Sequence, residues 1–302
     1  MRYALLVSYL FFFTNRYKWD NIEISSNPLY LISDIFYLFT GGSFMQAWYM
    51  SGAGNDFVVI DARGLSLDFS AMALEQCENK HCDGFMAVDD SDHAHFKLHF
   101  YNADGSRGEM CGNGSRCVAK FAYDHGIAPA EMTIETDAGL LTATRMDENR
   151  YRVKLNNPGI VDLHRHGDMA YIELGTPGVP HGVFHYPGLT WEMREALRER
   201  MKAERYAEYF PKGANVNYFD WIGHNRIRIL TYERGVEDFT LACGTGSGAT
   251  AVKLWLEGAI PEGRLTVENP GGTLTFQLQG SADSVTEILM TGPAEVLEIF
   301  DI

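Results

Sequence analysis

One stretch of this chain occurs twice. Cys111-Gly112-Asn113-Gly114-Ser115 runs on through Ala119 and Tyr123 to Gly126, and Cys243-Gly244-Thr245-Gly246-Ser247 runs on through Ala251 and Trp255 to Gly258. The two intervals are equal in length and align without a gap. Each reads as a glycine turn feeding a helix of about three turns, stopped by a C-terminal glycine. A cysteine placed just before a helix start meets unpaired N–H groups and the positive end of the dipole, which favours a thiolate.

The likeness extends beyond the helices. Thr133 to Thr142 and Thr266 to Thr275 align as strand, tight turn, strand, and Phe100-Tyr101-Asn102 matches Thr231-Tyr232-Glu233 upstream. Closing strands follow at Tyr151–Leu155 and Ser284–Met290, with a linker near Asn156–Gly159. The repeat is therefore domain-sized, not a solenoid unit. Short strands with hairpin spacing and one buried helix per copy predict an α+β fold. It has two pseudo-symmetric domains, each a curled, mostly antiparallel sheet around a central helix. Further helices are predicted from Ser70, as N-cap, to Asn79, and from Trp191 to Tyr209, the latter charged on most faces and packed outside.

Residues 1–44 do not fit this pattern. Ala4–Phe13 is apolar but too short to span a bilayer, and no cleavage pattern follows it. Met45 is expected to be the natural start, with 1–44 an extension outside the fold. The N-terminal domain then covers 45–157 with a returning strand at 293–302, and the C-terminal domain covers 158–292.

A formal net charge of −15 argues against a nucleic-acid or anionic-membrane partner and leaves room for an anionic small molecule in a focused pocket. Five scattered cysteines make no disulfide framework and no C-x-x-C metal pair, so no metal is expected and the cytoplasm is the expected compartment. Cys77, Cys82 and Cys117 read as core filler. Gly244-Thr245-Gly246-Ser247-Gly248-Ala249 satisfies a dinucleotide fingerprint, with Glu268 at the ribose position. It sits in a hairpin context, and its twin carries Cys117 where a small residue is required. Two facing helix N-termini can instead hold one carboxylate and place its Cα between two sulfurs. Opposed acid and base groups of this kind invert a stereocentre without a cofactor.

Asn102 to Ser106 followed by Met110 to Cys117 resembles the first signature of the diaminopimelate epimerase family. Glu233-Arg234-Gly235 with Ala242 to Gly246 is similar to the second, Gly52 to Val58 to the opening motif, and Phe210-Pro211 with Asn215-Val216 to another. The resemblance covers Met45 to Ile302. It implies cofactor-independent interconversion of LL- and meso-diaminopimelate for lysine and cell-wall synthesis, in a cytoplasmic homodimer. It places the catalytic cysteines at Cys111 and Cys243 and the carboxylate-binding amides at Gly112, Asn113, Gly244 and Thr245. The distal end of the substrate falls to Asn55, Asn102, Asn215, Glu233 and Arg234, whose guanidinium can fork to a carboxylate. His181 and Glu233 are expected to assist one cysteine each. Val179 replaces the asparagine of the family's Asn-Pro-His, Phe239 replaces a glutamate, and His81-Cys82-Asp83-Gly84 is less glycine-rich than the family's version. These departures keep a histidine, proline or hydroxyproline substrate open.

Overall fold

The computed structural model describes residues 45–108 and 111–302. The extension expected before Met45 lies outside the described residues. From the first strand onward the chain is a single hydrogen-bonded run of strands laid out twice.

The first half contains β1 (Gln46–Ser51), β2 (Asp56–Asp61), helix α1 (Phe69–Lys80), β3 (Gly84–Asp89), β4 (Phe96–Asn102) and the short β5 (Arg107–Gly108). Helix α2 (Gly112–Asp124) follows, then β6 (Glu131–Thr136), β7 (Gly139–Arg145) and β8 (Arg150–Leu155). The second half repeats the order. It has β10 (Met169–Gly175), β11 (Gly178–His185), α3 (Arg194–Arg205), β12 (Asn215–Gly223), β13 (Arg226–Glu233) and β14 (Asp238–Thr240). Then come α4 (Gly244–Leu256), β15 (Arg264–Asn269), β16 (Gly272–Ser281) and β17 (Ser284–Pro293).

Two strands are exchanged. β9 (Pro158–His166) follows the first copy but pairs with β10 of the second, and β18 (Glu295–Asp301) follows the second copy but pairs with β1 of the first. β8 and β17 also pair, Leu155 opposite Ile288 and Tyr151 opposite Gly292, so the two curled sheets share a seam.

Most pairings are antiparallel, as expected, but the hairpin reading needs correction. Each half holds two parallel pairs, β2–β3 and β4–β6 in the first, β11–β12 and β13–β15 in the second. Parallel neighbours need a crossover. The four α-helices supply them, so each copy carries two crossover helices. Helix α1 is capped by Asp68, whose carboxylate accepts from Ala71 N–H at 3.1 Å, two residues earlier than the Ser70 expected. Ser70 instead donates to the carbonyl of Gly105. Helix α3 stops at Arg205 and buries Leu197 and Met201 beneath the second sheet, its charged faces outward.

Helices α2 and α4 are enclosed by their sheets. Residues Gly112 to Ala122 are all buried, and of Gly244 to Leu254 only Thr245 is half-buried. Such helices draw their stability from packing on every side rather than from an amphipathic stripe. Small residues make this fit possible: Gly114, Ser115 and Ala119 in one, Gly246, Gly248, Ala249 and Ala251 in the other.

Candidate active site

Cys111 and Cys243 are the N-cap residues of α2 and α4, both in extended backbone. The Cys243 sulfur accepts from Gly246 N–H at 3.3 Å. The two helix starts meet over one side chain. A Cβ placed on Gly112 would come 2.9 Å from Met290 Cε, and one on Gly244 would come 3.0 Å from Met290 Sδ and 3.4 Å from Asn113 Oδ1. Met290 lies on β17 at the seam, so the shared strand forms the floor beneath both helix N-termini.

Asn113 and Glu233 join the two sides. Asn113 Nδ2 donates to the carbonyl of Ala242 at 3.0 Å and to Asn55 Oδ1 at 2.5 Å. Asn55 in turn donates to Asp83 Oδ2 at 3.3 Å, and the same oxygen accepts from Asp56 N–H at 2.8 Å. Glu233 accepts from Thr240 Oγ1 at 3.0 Å and faces the Cys243 thiol, and its negative charge reaches both cysteines.

The electrostatics correct one expectation. Burial, more than any other influence, pushes both thiols up, although the N–H groups of Gly114 and Asn113 pull Cys111 back and the Thr245 hydroxyl and Gly246 N–H do so for Cys243. The enclosed helix terminus thus offers hydrogen bonds to a thiolate but does not outweigh the loss of water. Cys243 suffers further from Glu233 beside it, whereas Cys111 has the cation of Arg116 near by. Desolvation also raises the Glu233 carboxyl and the Asp83 carboxyl. His181 is wholly buried, and its pKa is pushed down to about 3 by burial and then by Arg234.

Asn215 is buried on β12 and accepts Arg234 N–H at 2.7 Å, so it shapes the Glu233–Arg234 turn. Arg234 itself is exposed. Thr245 is half-buried, 3.6 Å from the Cys243 sulfur. Asn102 is exposed and donates to Ser106 Oγ at 3.0 Å within its own turn, which sets it apart from the cluster around Asn113. Phe239 packs edge-on to Tyr232, and Val179 is partly exposed on β11. Glu268, the ribose carboxylate of the dinucleotide reading, is engaged by Arg226. Among the described residues no three His, Cys, Asp or Glu side chains converge as a metal site would require. No helix among them is long and apolar enough to cross a membrane.

Several site residues escaped the sequence reading. Arg116 is fully buried on α2, donating to Asn113 Oδ1 at 3.0 Å and to Pro293 O at 3.0 Å. Its counterpart in the second copy is Gly248, and that mismatch was the available signal. Asp83, Asn217 and Thr240 likewise carry hydrogen bonds to predicted site residues. A cavity of about 740 Å³ opens elsewhere in the second half, between His166, Tyr209, Trp221 and Lys253, and no predicted site residue lines it.

Residues 47–161 and 176–297 match the family model described as diaminopimelate epimerase. The chain is 41% identical over 232 residues to a diaminopimelate epimerase of Hydrogenobaculum sp. (strain Y04AAS1), covering 68% of this chain and 81% of that one. It is 34% identical over 277 residues to that of Aquifex aeolicus (strain VF5), covering 85% and 96%. Among solved structures, a PhzF-family phenazine biosynthesis protein from Bacillus anthracis superposes with a TM-score of 0.64 at 14% identity, covering 86% and 99%. A hydroxyproline epimerase from Agrobacterium vitis does so with a TM-score of 0.56 at 17% identity, covering 86% and 91%. At such identities the structural likeness speaks for the fold.

Proposed function

The chain belongs to the diaminopimelate epimerase family, and from that premise we propose that Cys111 and Cys243 are the two acid–base groups of a cofactor-independent epimerisation. The activity is the interconversion of LL- and meso-diaminopimelate. The observation that carries the cysteine assignment is the meeting of the two helix starts over Met290, with Glu233 acting on both thiols. A substrate α-carboxylate seated on the N–H groups of Gly112, Asn113, Gly244 and Thr245 would present its Cα between the sulfurs. One thiolate removes the α-proton while the opposite thiol supplies a proton to the other face, so each turnover exchanges their protonation states.

The raised thiols suit this task. A thiol of high pKa yields a strongly basic thiolate once substrate binding and the helix N–H groups stabilise it. Asn55, Asn102, Asn215, Glu233 and Arg234 are assigned to the distal amino-acid end, and His181 to the support of the reacting groups. The reading also places the protein in the cytoplasm as a homodimer, with domains at 45–157 plus 293–302 and at 158–292. Support for self-association comes from β18, whose Val296, Leu297 and Ile299 are exposed beside β1.

Deuterium incorporation at Cα tests the assignment. In D2O the protein should label LL- and meso-diaminopimelate, and Cys111→Ala and Cys243→Ala should each abolish interconversion. Full activity in either variant would overturn the two-cysteine reading. Preferential labelling of histidine, proline or hydroxyproline in the same panel would overturn the substrate.

A further inference from the structure

The two halves can be compared residue by residue. Phe57 stands opposite Gly84 across β2–β3, and His181 stands opposite Asn215 across the equivalent β11–β12. Further along, Met86 faces Phe100 where Asn217 faces Thr231. The first half therefore builds Phe57, Met86 and Phe100 at the positions where the second builds His181, Asn217 and Thr231. All six are buried.

Both sets lie under the first turn of the enclosed helix. A Cβ on Gly114 would overlap Met86 Cε and come 3.4 Å from Phe57 Cζ. One on Gly246 would overlap Asn217 Oδ1 and come 3.2 Å from the Cys243 sulfur. The first half shows that this backbone closes over apolar side chains. Buried polar groups cost stability unless hydrogen-bonded, so the fold alone gives no reason for three of them in the second half.

Their hydrogen bonds fix a proton. Asn217 Nδ2 lies 3.1 Å from the carbonyl of Gly182 and 3.2 Å from that of Asn215, and carbonyls only accept. Thr231 Oγ1 lies 3.0 Å from Asn217 Oδ1, which completes the orientation of the amide. The same Nδ2 faces His181 Nδ1 at 3.4 Å, and an amide nitrogen cannot accept a hydrogen bond, so a hydrogen on Nδ1 would have no partner there. A neutral imidazole then carries its hydrogen on Nε2. That nitrogen is buried and has no hydrogen-bond partner among the described residues.

We infer that Asn217 is a positioning residue that locks His181 in the Nε2–H form, so that the ring offers one neutral hydrogen-bond donor to an anionic atom in the site. The first half, with Phe57 in the ring's place, has no such donor. The two halves of a symmetric fold thus differ beneath their enclosed helices. The inference rests on the epimerase reading only where it bears on turnover; the state of the ring stands on the geometry alone.

The ring can be read directly. In protein labelled with 15N-histidine, two-bond 1H–15N correlation spectra of His181 should show a neutral ring protonated on Nε2, unchanged across the pH range in which free histidine titrates. In Asn217→Asp a carboxylate faces Nδ1 and should draw the hydrogen there, inverting the pattern. With diaminopimelate, kcat should fall roughly 10²-fold in that variant while KM changes little. Asn217→Met copies the first half, and should fold, lose the fixed pattern and lose kcat in the same way. A wild-type ring protonated on Nδ1, or a pattern unchanged in both variants, would overturn the inference. Activity that survives the cysteine substitutions would overturn the proposed mechanism and leave the spectral result standing.

Discussion

Asn113 donates its side-chain amide to the carbonyl of Ala242 at 3.0 Å, linking the first turn of one cysteine's helix to the residue before the other cysteine. The same amide holds Asn55, and its oxygen receives Arg116. Asn113→Ala removes all three contacts at once. It should cost about 1–3 kcal/mol of stability by stranding buried partners, and kcat/KM should fall with it. Urea denaturation and initial rates measure the two effects. Stability and kcat/KM both at wild-type values would show that Asn113 is not the tie.

Arg116 is a buried cation with its Nη2 unpaired among the described residues, and desolvation lowers its pKa to about 10. Its charge favours a thiolate at Cys111. Arg116→Met should therefore slow alkylation of Cys111 several-fold at a fixed pH, roughly what loss of one nearby charge implies. Cys243, with Gly248 at the equivalent position, should be much less affected. Peptide mapping after a short pulse of iodoacetamide separates the two sites. Equal slowing at both would point to a general loosening of the fold.

Glu233 gives a pH dependence of definite sign. Its folded pKa is raised by burial, so the native state holds the proton more tightly than the unfolded chain does. The associated stability is complete below the unfolded value of about 4.3 and is lost as pH rises through the folded value. Glu233→Gln removes the buried charge and keeps an acceptor for Thr240. Its melting temperature relative to wild type should therefore climb from acid to neutral pH. A difference that is flat or falls with pH would show that the carboxyl is not desolvated.

The paired glycines Gly114 and Gly246 should respond unequally to alanine. At Gly114 the new methyl meets the flexible end of Met86, which can turn aside. At Gly246 it meets an amide oxygen whose own nitrogen is held by two carbonyls and whose acceptor role is filled by Thr231. Gly246→Ala should cost about 1–3 kcal/mol, as overpacking does, and Gly114→Ala clearly less. Denaturation midpoints for the two variants decide this; equal losses would mean that the Asn217 amide yields as readily as the methionine.

Much of this was visible in the chain before any coordinates. The two cysteine helices, their equal length and the strand–turn–strand segments behind them follow from local signals that survive in both copies. The parallel pairs were not visible, because a helix between two strands does not by itself say whether those strands lie side by side. Nor could the chain report that enclosing α2 and α4 would raise both thiols, since desolvation depends on what closes around the sulfur. Asn217 and Thr231 read as ordinary strand residues. They stand out only against Met86 and Phe100, once the register of the two copies is known.

The pairing of β17 with β8 gives the molecule something like the spine of a book. Its covers are bound along the strand that carries Met290, the side chain beneath both helix starts. A further contact between the copies lies near the end of that strand, where Gly54 nearly touches Gly271 and Leu241, with 3.0 Å between a Cβ on Gly54 and the Cα of Gly271. The cysteines are seated close to that spine, so the backbone hydrogen bonds that bind the covers also fix how far apart the two helix starts stand.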